Sequence, residues 1–393
     1  MEFESWWLLA IPLFFGLGWF AARVDLRHAP RPGGQLPDAY FRGLNFLLNE
    51  QPDKAIDAFI DVVKLDPETI ELHFALGNLF RRRGETDRAI RVHLNLVERG
   101  GIDAAQREHA LYELGQDYLK AGLLDRAEDA FVRLDGSRYG APALRHRLEI
   151  AQMVRDWPLA IELAQRMARD AGEGQAREIA HFHCELAAQA LASQEAGRLE
   201  TARRELDAAL RADADHPRAR LLAGELALAE GDPDGALREW SALGERQPAY
   251  LALVAGGWLR AHDAAGRAEL GIETLERVHE RTPSVDTLAA IAQALGERRG
   301  PAAALAWAER ELRRQPSLLG LEKLLALRLA GADARARDEI ELTQKLIAPQ
   351  ARRLARFVCA HCGFKARQFY WQCPGCSRWD TYAPKRTEEL ERV

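Results

Sequence analysis

Four of the five cysteines in this 393-residue chain fall within 18 residues near its C-terminus. Cys359 and Cys362 form one Cys-x-x-Cys, Cys373 and Cys376 a second, and ten residues separate the pairs. Each short spacing turns the backbone so that both sulfurs face one ion, and two such turns complete a tetrahedron. Thiolates in that arrangement suit zinc or a single iron ion. Gly363 permits the first tight turn and Pro374 stiffens the second. Four cysteines fill the coordination shell, so His361 is expected to be exposed. Phe357, Phe364, Phe369, Tyr370, Trp371, Trp379 and Tyr382 are expected to wrap the site, standing in for a core that so short a segment could not otherwise build. The clustering also reads as a metal site in a reducing compartment and argues against a disulfide framework.

Other chemistry is sparse. The sequence holds no phosphate-binding or dinucleotide glycine loop, no His-Glu-x-x-His and no Gly-x-Ser-x-Gly. In IAHFHCELA, His181 and His183 point to different helix faces and Cys184 shares a face with His181 only, so a helical core with one buried thiol is expected there. A net charge of -5 gives no case for the whole molecule binding nucleic acid. The tail differs from that average, with eight Lys or Arg and one Asp between Arg352 and Arg386. An acidic partner or an anionic membrane surface would meet that charge.

The elements that must carry the cysteines are helical. The apolar residues lean on Ala and Leu and the charged ones on Arg and Glu, a mixture that favours helices over sheets. A repeat of about 34 residues runs through the chain. Gly43 and Gly77 are 34 apart, as are Phe46 and Phe80, and Ala55 and Ala89. Leu114, Gly115, Tyr118, Gly122, Ala127 and Phe131 keep the internal spacing, and Gly224, Gly231, Ala236, Trp240 and Pro248 repeat it. The small residue on a first helix admits the second helix closely, and the Ala on the second does the same in return. A large residue is expected to fill the gap between neighbouring hairpins, and Pro67, Pro248, Pro283 and Pro316 to close units. Gly84 to Asp87 and Gly231 to Asp234 are expected to supply turns and N-caps. These residues resemble the tetratricopeptide family over roughly 36–350. That resemblance implies an all-α superhelical solenoid of about nine hairpins, with degenerate units around Ala160, Ala202, Gly271 and Ala304.

Residues Trp6 to Ala22 are uncharged and almost wholly apolar. At helical rise they span roughly 26 Å, enough for a thin hydrocarbon core. Trp6, Trp7 and Trp19 lie near the ends of the run, where amphipathic rings prefer to sit. Glu2 and Glu4 before it and Arg23 directly after Ala22 disfavour a cleaved signal peptide. Arg23, Arg27 and Arg31 predict a single-pass anchor with a periplasmic N-terminus and the bulk of the chain in the cytoplasm. The expected organisation is an anchor at 1–22 (helix about 5–22), a basic Pro/Gly linker at 23–35, repeats over 36–350, a metal module at 356–384 and a tail at 385–393.

The tail sequence resembles a rubredoxin-type or zinc-ribbon module. Ser377 stands where rubredoxins usually have Gly, and the segment between knuckles is shorter than theirs. Both departures weigh against electron transfer, and a structural metal is preferred. A redox protein and a nucleic-acid-binding zinc ribbon are the alternatives.

Anchor, hairpins and two-knuckle tail together resemble the lipopolysaccharide assembly protein B family over essentially the whole length. The likeness is carried by GLNFLLNEQPDKAIDAF, LGNLFRRRGETDRAIRVH, IAHFHCELA and CAHCGF…YWQCPGC. It implies a non-enzymatic inner-membrane adaptor that restrains lipopolysaccharide synthesis. Its implied partners are a membrane AAA+ protease (FtsH), the deacetylase that commits precursors to lipid A (LpxC), and other envelope-synthesis or transport proteins. A homodimer remains open. The resemblance also places Cys359, Cys362, Cys373 and Cys376 on the family's metal ligands, for one iron or zinc ion.

Overall fold

The computed structural model describes residues 38–391, except 50, 66–68 and 172–173, together with Phe15 and Trp19. The expected anchor at 1–22 and linker at 23–35 lie outside the described residues apart from Phe15 and Trp19, which are helical and exposed. Among the described residues no helix is long and apolar enough to cross a membrane. Pro67 also lies outside them.

The chain divides into two compact units, one ending at Ala143 and one beginning at Leu144. In the first unit α1 (Asp38–Leu48) pairs with α2 (Pro52–Leu65), α3 (Ile70–Arg83) with α4 (Thr86–Glu98), and α5 (Ala104–Lys120) with α6 (Leu124–Val132). The unit boundary falls inside α7 (Gly140–Val154), which is followed by α8 (Trp157–Ala171). The second unit continues with α9 (Ala176–Ala192), α10 (Arg198–Ala212), α11 (Pro217–Ala229) and α12 (Pro233–Arg246). After a 3-10 turn at Pro248–Val254 come α13 (Ala255–Ala264), α14 (Ala268–Arg281), α15 (Val285–Arg299), α16 (Pro301–Arg314), α17 (Leu318–Ala330) and α18 (Ala334–Leu354). Taken in order, these helices make nine hairpins among the described residues.

The repeat residues explain why the hairpins close. Phe59 lies against Gly43, His93 against Gly77, Phe131 against Gly115 and Trp240 against Gly224. A Cβ on any of these glycines would come within 2.2 to 2.9 Å of the ring. The large residue therefore packs first on the glycine of its own hairpin, where the spacing had suggested the gap between hairpins. Trp240 does both, since its ring also approaches Gly257 on α13. Its Nε1 donates to the Leu221 carbonyl at 3.1 Å, so this fully buried indole leaves no donor unpaired. Ala55, Ala89, Ala127 and Ala236 are completely buried, as are Ala160, Ala202 and Ala304 in the degenerate units. Gly271 lets α14 press on the His262 side chain of α13 in the same way.

Turn chemistry follows the sequence in part. Gly84 and Gly231 adopt left-handed backbone, and Asp232 caps α12 by accepting from Gly235 N at 2.8 Å. Glu85 occupies the cap position of α4 without a side-chain bond, so only one of the two expected caps forms. Pro283 and Pro316 precede Ser284 and Ser317, whose hydroxyls cap α15 and α17.

Neighbouring hairpins are also joined by ion pairs about one repeat apart. In the first unit Arg81 reaches Glu113 at 2.5 Å and Asp117 at 2.9 Å, and the other Asp117 oxygen meets buried His93 Nδ1 at 2.5 Å. In the second unit Arg218 pairs with Glu185 at 2.7 Å, Arg267 with Asp234, and Arg298 with Asp263.

Gly224→Ala should destabilise the chain by about 1–3 kcal/mol, because Trp240 is fully buried and cannot retreat. Gly100→Ala, which meets nothing within 4 Å, should be close to neutral. Urea unfolding of the two variants measures the contrast, and equal midpoints would show that the glycine contact does not limit packing.

Candidate metal centre

A two-stranded antiparallel ribbon follows α18 directly. Its strands β1 (Phe357–Val358) and β2 (Lys365–Ala366) pair Phe357 with Ala366 and Val358 with Lys365. Isolated bridges join Cys359 to Tyr382 and Gln372 to Trp379, so the two knuckles are tied at their bases. Gly363 takes φ +74 in the first knuckle. In the second, Ser377 takes φ +57, adopting the conformation for which glycine is usual without being one.

The four cysteine sulfurs all lie within 4.8 Å of one another. Cys359 Sγ is 3.8 Å from Cys376 Sγ, and Cys362 Sγ is 3.7 Å from Cys373 Sγ. A tetrahedral site with metal–sulfur bonds of about 2.3 Å has edges of about 3.8 Å, so the donor set fits one ion. Backbone N–H groups support the sulfurs: Cys362 N donates to Cys359 Sγ at 3.5 Å and Gly375 N to Cys373 Sγ at 3.4 Å. Burial opposes ionisation of Cys359, but bonds from Thr381 and from the amides of Cys362 and His361 prevail and bring the thiol down to about 6. The Phe364 amide favours the Cys362 thiolate, yet loss of solvent around this exposed side chain and the bonds shared with the other three sulfurs push it up to about 12. A cation at the centre of the four sulfurs would favour the thiolate form of each.

Only some of the aromatics wrap the cysteines as expected. Phe357 and Tyr382 are buried beside Cys359 and Cys373, with Phe369 and Tyr370 partly covering them. Tyr382 Oη donates to the Phe364 carbonyl at 3.2 Å. Phe364 is itself 43% exposed, and His361 is exposed. Trp371 and Trp379 point the other way and join the apolar cores of the solenoid.

Those two tryptophans dock the ribbon. Trp379 stacks on His181 at 4.5 Å between centroids and meets Trp157 and Phe182 edge to face. Its Nε1 donates to Gln152 Oε1 at 2.9 Å. Trp371 lies parallel to Tyr250 at 5.4 Å. Asp380, held at φ +53, accepts from Arg177 Nε at 2.5 Å and from His181 Nε2 at 2.9 Å. Burial alone would raise the Asp380 carboxyl, but His181 and Arg177 bring it down to about 2. Burial pushes His181 down, against the pull of Asp380, and pushes His216 down to about 3, with His181 at 4.2 Å adding to it. A neutral His181 donating to ionised Asp380 accounts for both shifts. Cys184 is fully buried, as expected, and its thiol is pushed up to about 12 by burial. The sequence identified His181 only as core. Its role as the ribbon's partner left no local signal.

The ribbon, residues 357–384, matches a family model described as a rubredoxin metal binding domain. Residues 42–107 and 187–252 match a tetratricopeptide repeat model. Fold and site together define a tetratricopeptide solenoid bearing a rubredoxin-type metal-binding module. Lipopolysaccharide assembly protein B of Escherichia coli (strain K12) is 34% identical over 381 residues, covering 96% of this chain and 97% of that protein. Its namesake in Haemophilus influenzae is 27% identical over 392 residues, covering 97% and 98%. The chain belongs to the lipopolysaccharide assembly protein B family.

Replacing Cys373 and Cys376 by Ser should remove stoichiometric zinc or iron, read by elemental analysis, while helical circular dichroism persists. Retention of one ion per chain would contradict the site. A second test uses pH. His216 has a folded pKa of about 3, below the ordinary value near 6.5, so the unfolded chain takes up the proton first. Stability should therefore fall as pH drops below about 6.5, and by pH 5 this group accounts for about 2 kcal/mol. His181 acts in the same direction. Asp380, lowered to about 2, adds its own loss only below about pH 4. His216→Asn, which can still cap α11, should weaken the decline between pH 7 and 5 in urea titrations.

Proposed function

We propose that this protein is an inner-membrane adaptor in lipopolysaccharide assembly, acting by bringing proteins together without catalysing a reaction. The observation that carries this reading is the 34% identity, across 96% of the chain, to a protein named lipopolysaccharide assembly protein B. The hairpin array supports it, because stacked repeats present extended surfaces to protein partners. The apolar run Trp6 to Ala22 supports a single-pass anchor with a periplasmic N-terminus and the remainder cytoplasmic. The organisation that goes with this reading is anchor 1–22, linker 23–35, repeats 36–350, metal module 356–384 and tail 385–393.

The adaptor presents the lipid A deacetylase (LpxC) to a membrane AAA+ protease (FtsH) and so restrains lipopolysaccharide synthesis. Confining the partners to one membrane surface raises their effective concentration and needs no new chemistry. In this scheme Cys359, Cys362, Cys373 and Cys376 ligate one zinc or iron ion whose work is structural. It closes the knuckles from which Trp371, Trp379 and Asp380 reach the solenoid.

The deacetylase should become long-lived in cells lacking this protein, measured after protein synthesis is blocked. An unchanged lifetime would overturn the proteolytic role and leave a membrane scaffold. The Cys373→Ser, Cys376→Ser chain should behave like the deletion, with normal membrane insertion.

A further inference from the structure

Beyond the metal module the chain continues with Lys385-Arg386-Thr387-Glu388-Glu389-Leu390-Glu391, part of a stretch the sequence marks only as a tail. It folds into a one-turn helix, α19 (Thr387–Leu390), and Thr387 and Glu388 are buried. The Glu388 carboxylate lies over the first turn of α17. One oxygen accepts from Leu318 N at 2.6 Å, and the other accepts from Leu319 N at 3.2 Å and Ser317 Oγ at 2.9 Å. Glu389 does the equivalent at α15, accepting from Val285 N at 2.7 Å with one oxygen and from Arg386 N at 2.8 Å with the other. Arg386 forms a two-pronged pair with Asp286 at 2.7 and 3.0 Å and donates to the Ala355 carbonyl at 2.7 Å. Its guanidinium covers the Phe357 ring at 4.2 Å. The Thr387 amide and hydroxyl both donate to the Arg356 carbonyl at 2.7 Å.

These contacts divide the capping work. Ser284 and Ser317 satisfy Asp286 N and Gly320 N, and the two glutamates take the amides that precede these. First-turn amides and the helix dipole both favour an anionic group there. Two such termini, on successive hairpins and with the Asp286 carboxylate beside them, discriminate for a cation followed by adjacent acids. None of the bonds involves a cysteine.

We propose that the N-termini of α15 and α17, with Asp286, form a recognition site for an Arg-x-Glu-Glu segment. The chain's own residues 386–389 fill it, and this strap holds the root of the ribbon on the solenoid independently of the metal.

Hydrogen exchange resolved to single amides in the full-length chain tests this. With Glu388→Ala and Glu389→Ala, exchange at Val285, Leu318 and Leu319 should quicken roughly ten- to a hundredfold, the loss of a charge-assisted bond. Metal content should be unchanged. Adding a synthetic peptide of residues 385–391 should restore slow exchange at those three amides, and the same peptide with Gln at both positions should not. The gentler Glu388→Gln, Glu389→Gln chain should show a smaller quickening. The Cys373→Ser, Cys376→Ser chain should keep all three amides protected. Unaltered exchange in the alanine chain, or failure of the peptide to restore it, would overturn the recognition site. Loss of protection in the cysteine variant would overturn its independence from the metal.

Discussion

A helical hairpin of some thirty residues cannot bury its apolar stripe alone, and everything in this chain answers to that constraint. Helices within a hairpin must approach closely enough for side chains to interlock, which is why Gly43, Gly77, Gly115 and Gly224 each receive a ring from the second helix. Successive hairpins must then cover one another. The fully buried alanines and the arginine pairs one repeat apart accomplish this with apolar contact inside and charge at the margins. One polar group that enters the core shows how it can be paired. His93 occupies a position taken elsewhere by Phe or Trp, and Asp117 and Arg81 complete its hydrogen bonding on the Nδ1 side.

The metal module faces the same shortage of core in a sharper form. Its own buried set is little more than Phe357, Ala366, Tyr382, Cys359 and Cys373. A four-thiolate ion can replace a core by cross-linking the two knuckles, and it frees the larger aromatics for other contacts. Trp371 and Trp379 are accordingly spent on the solenoid, and the polar residues beside them complete the dock. Asp380 would be costly to bury unpaired. Between Arg177 and His181 its charge is matched, while His181 stays neutral and leaves no second charge to solvate.

Metal ligands, dock and tail lie close together in the chain, yet they fix the ribbon by different physics. Coordination sets the knuckles, stacking and one ion-pair cluster set the face presented to α9, and helix-terminal amides hold the strap residues Glu388 and Glu389. Such redundancy holds the ribbon in one place on the solenoid.

The sequence by itself determined the hairpins and the cysteine cluster. A 34-residue period, small residues at matched offsets and two Cys-x-x-Cys turns act within a few tens of residues, so their geometry is local and legible. It determined less about direction. Seven aromatics near the cysteines were all equally suited to wrapping them, and only the fold sends Trp371 and Trp379 outward to meet Tyr250 and His181. Ser377 keeps the left-handed backbone of the glycine it stands in for, but nothing in Glu388 or Glu389 announces helix ends some 70 to 100 residues earlier. Those partners are chosen by the stacking of distant hairpins, which brings residues together without leaving any pattern in the spacing between them.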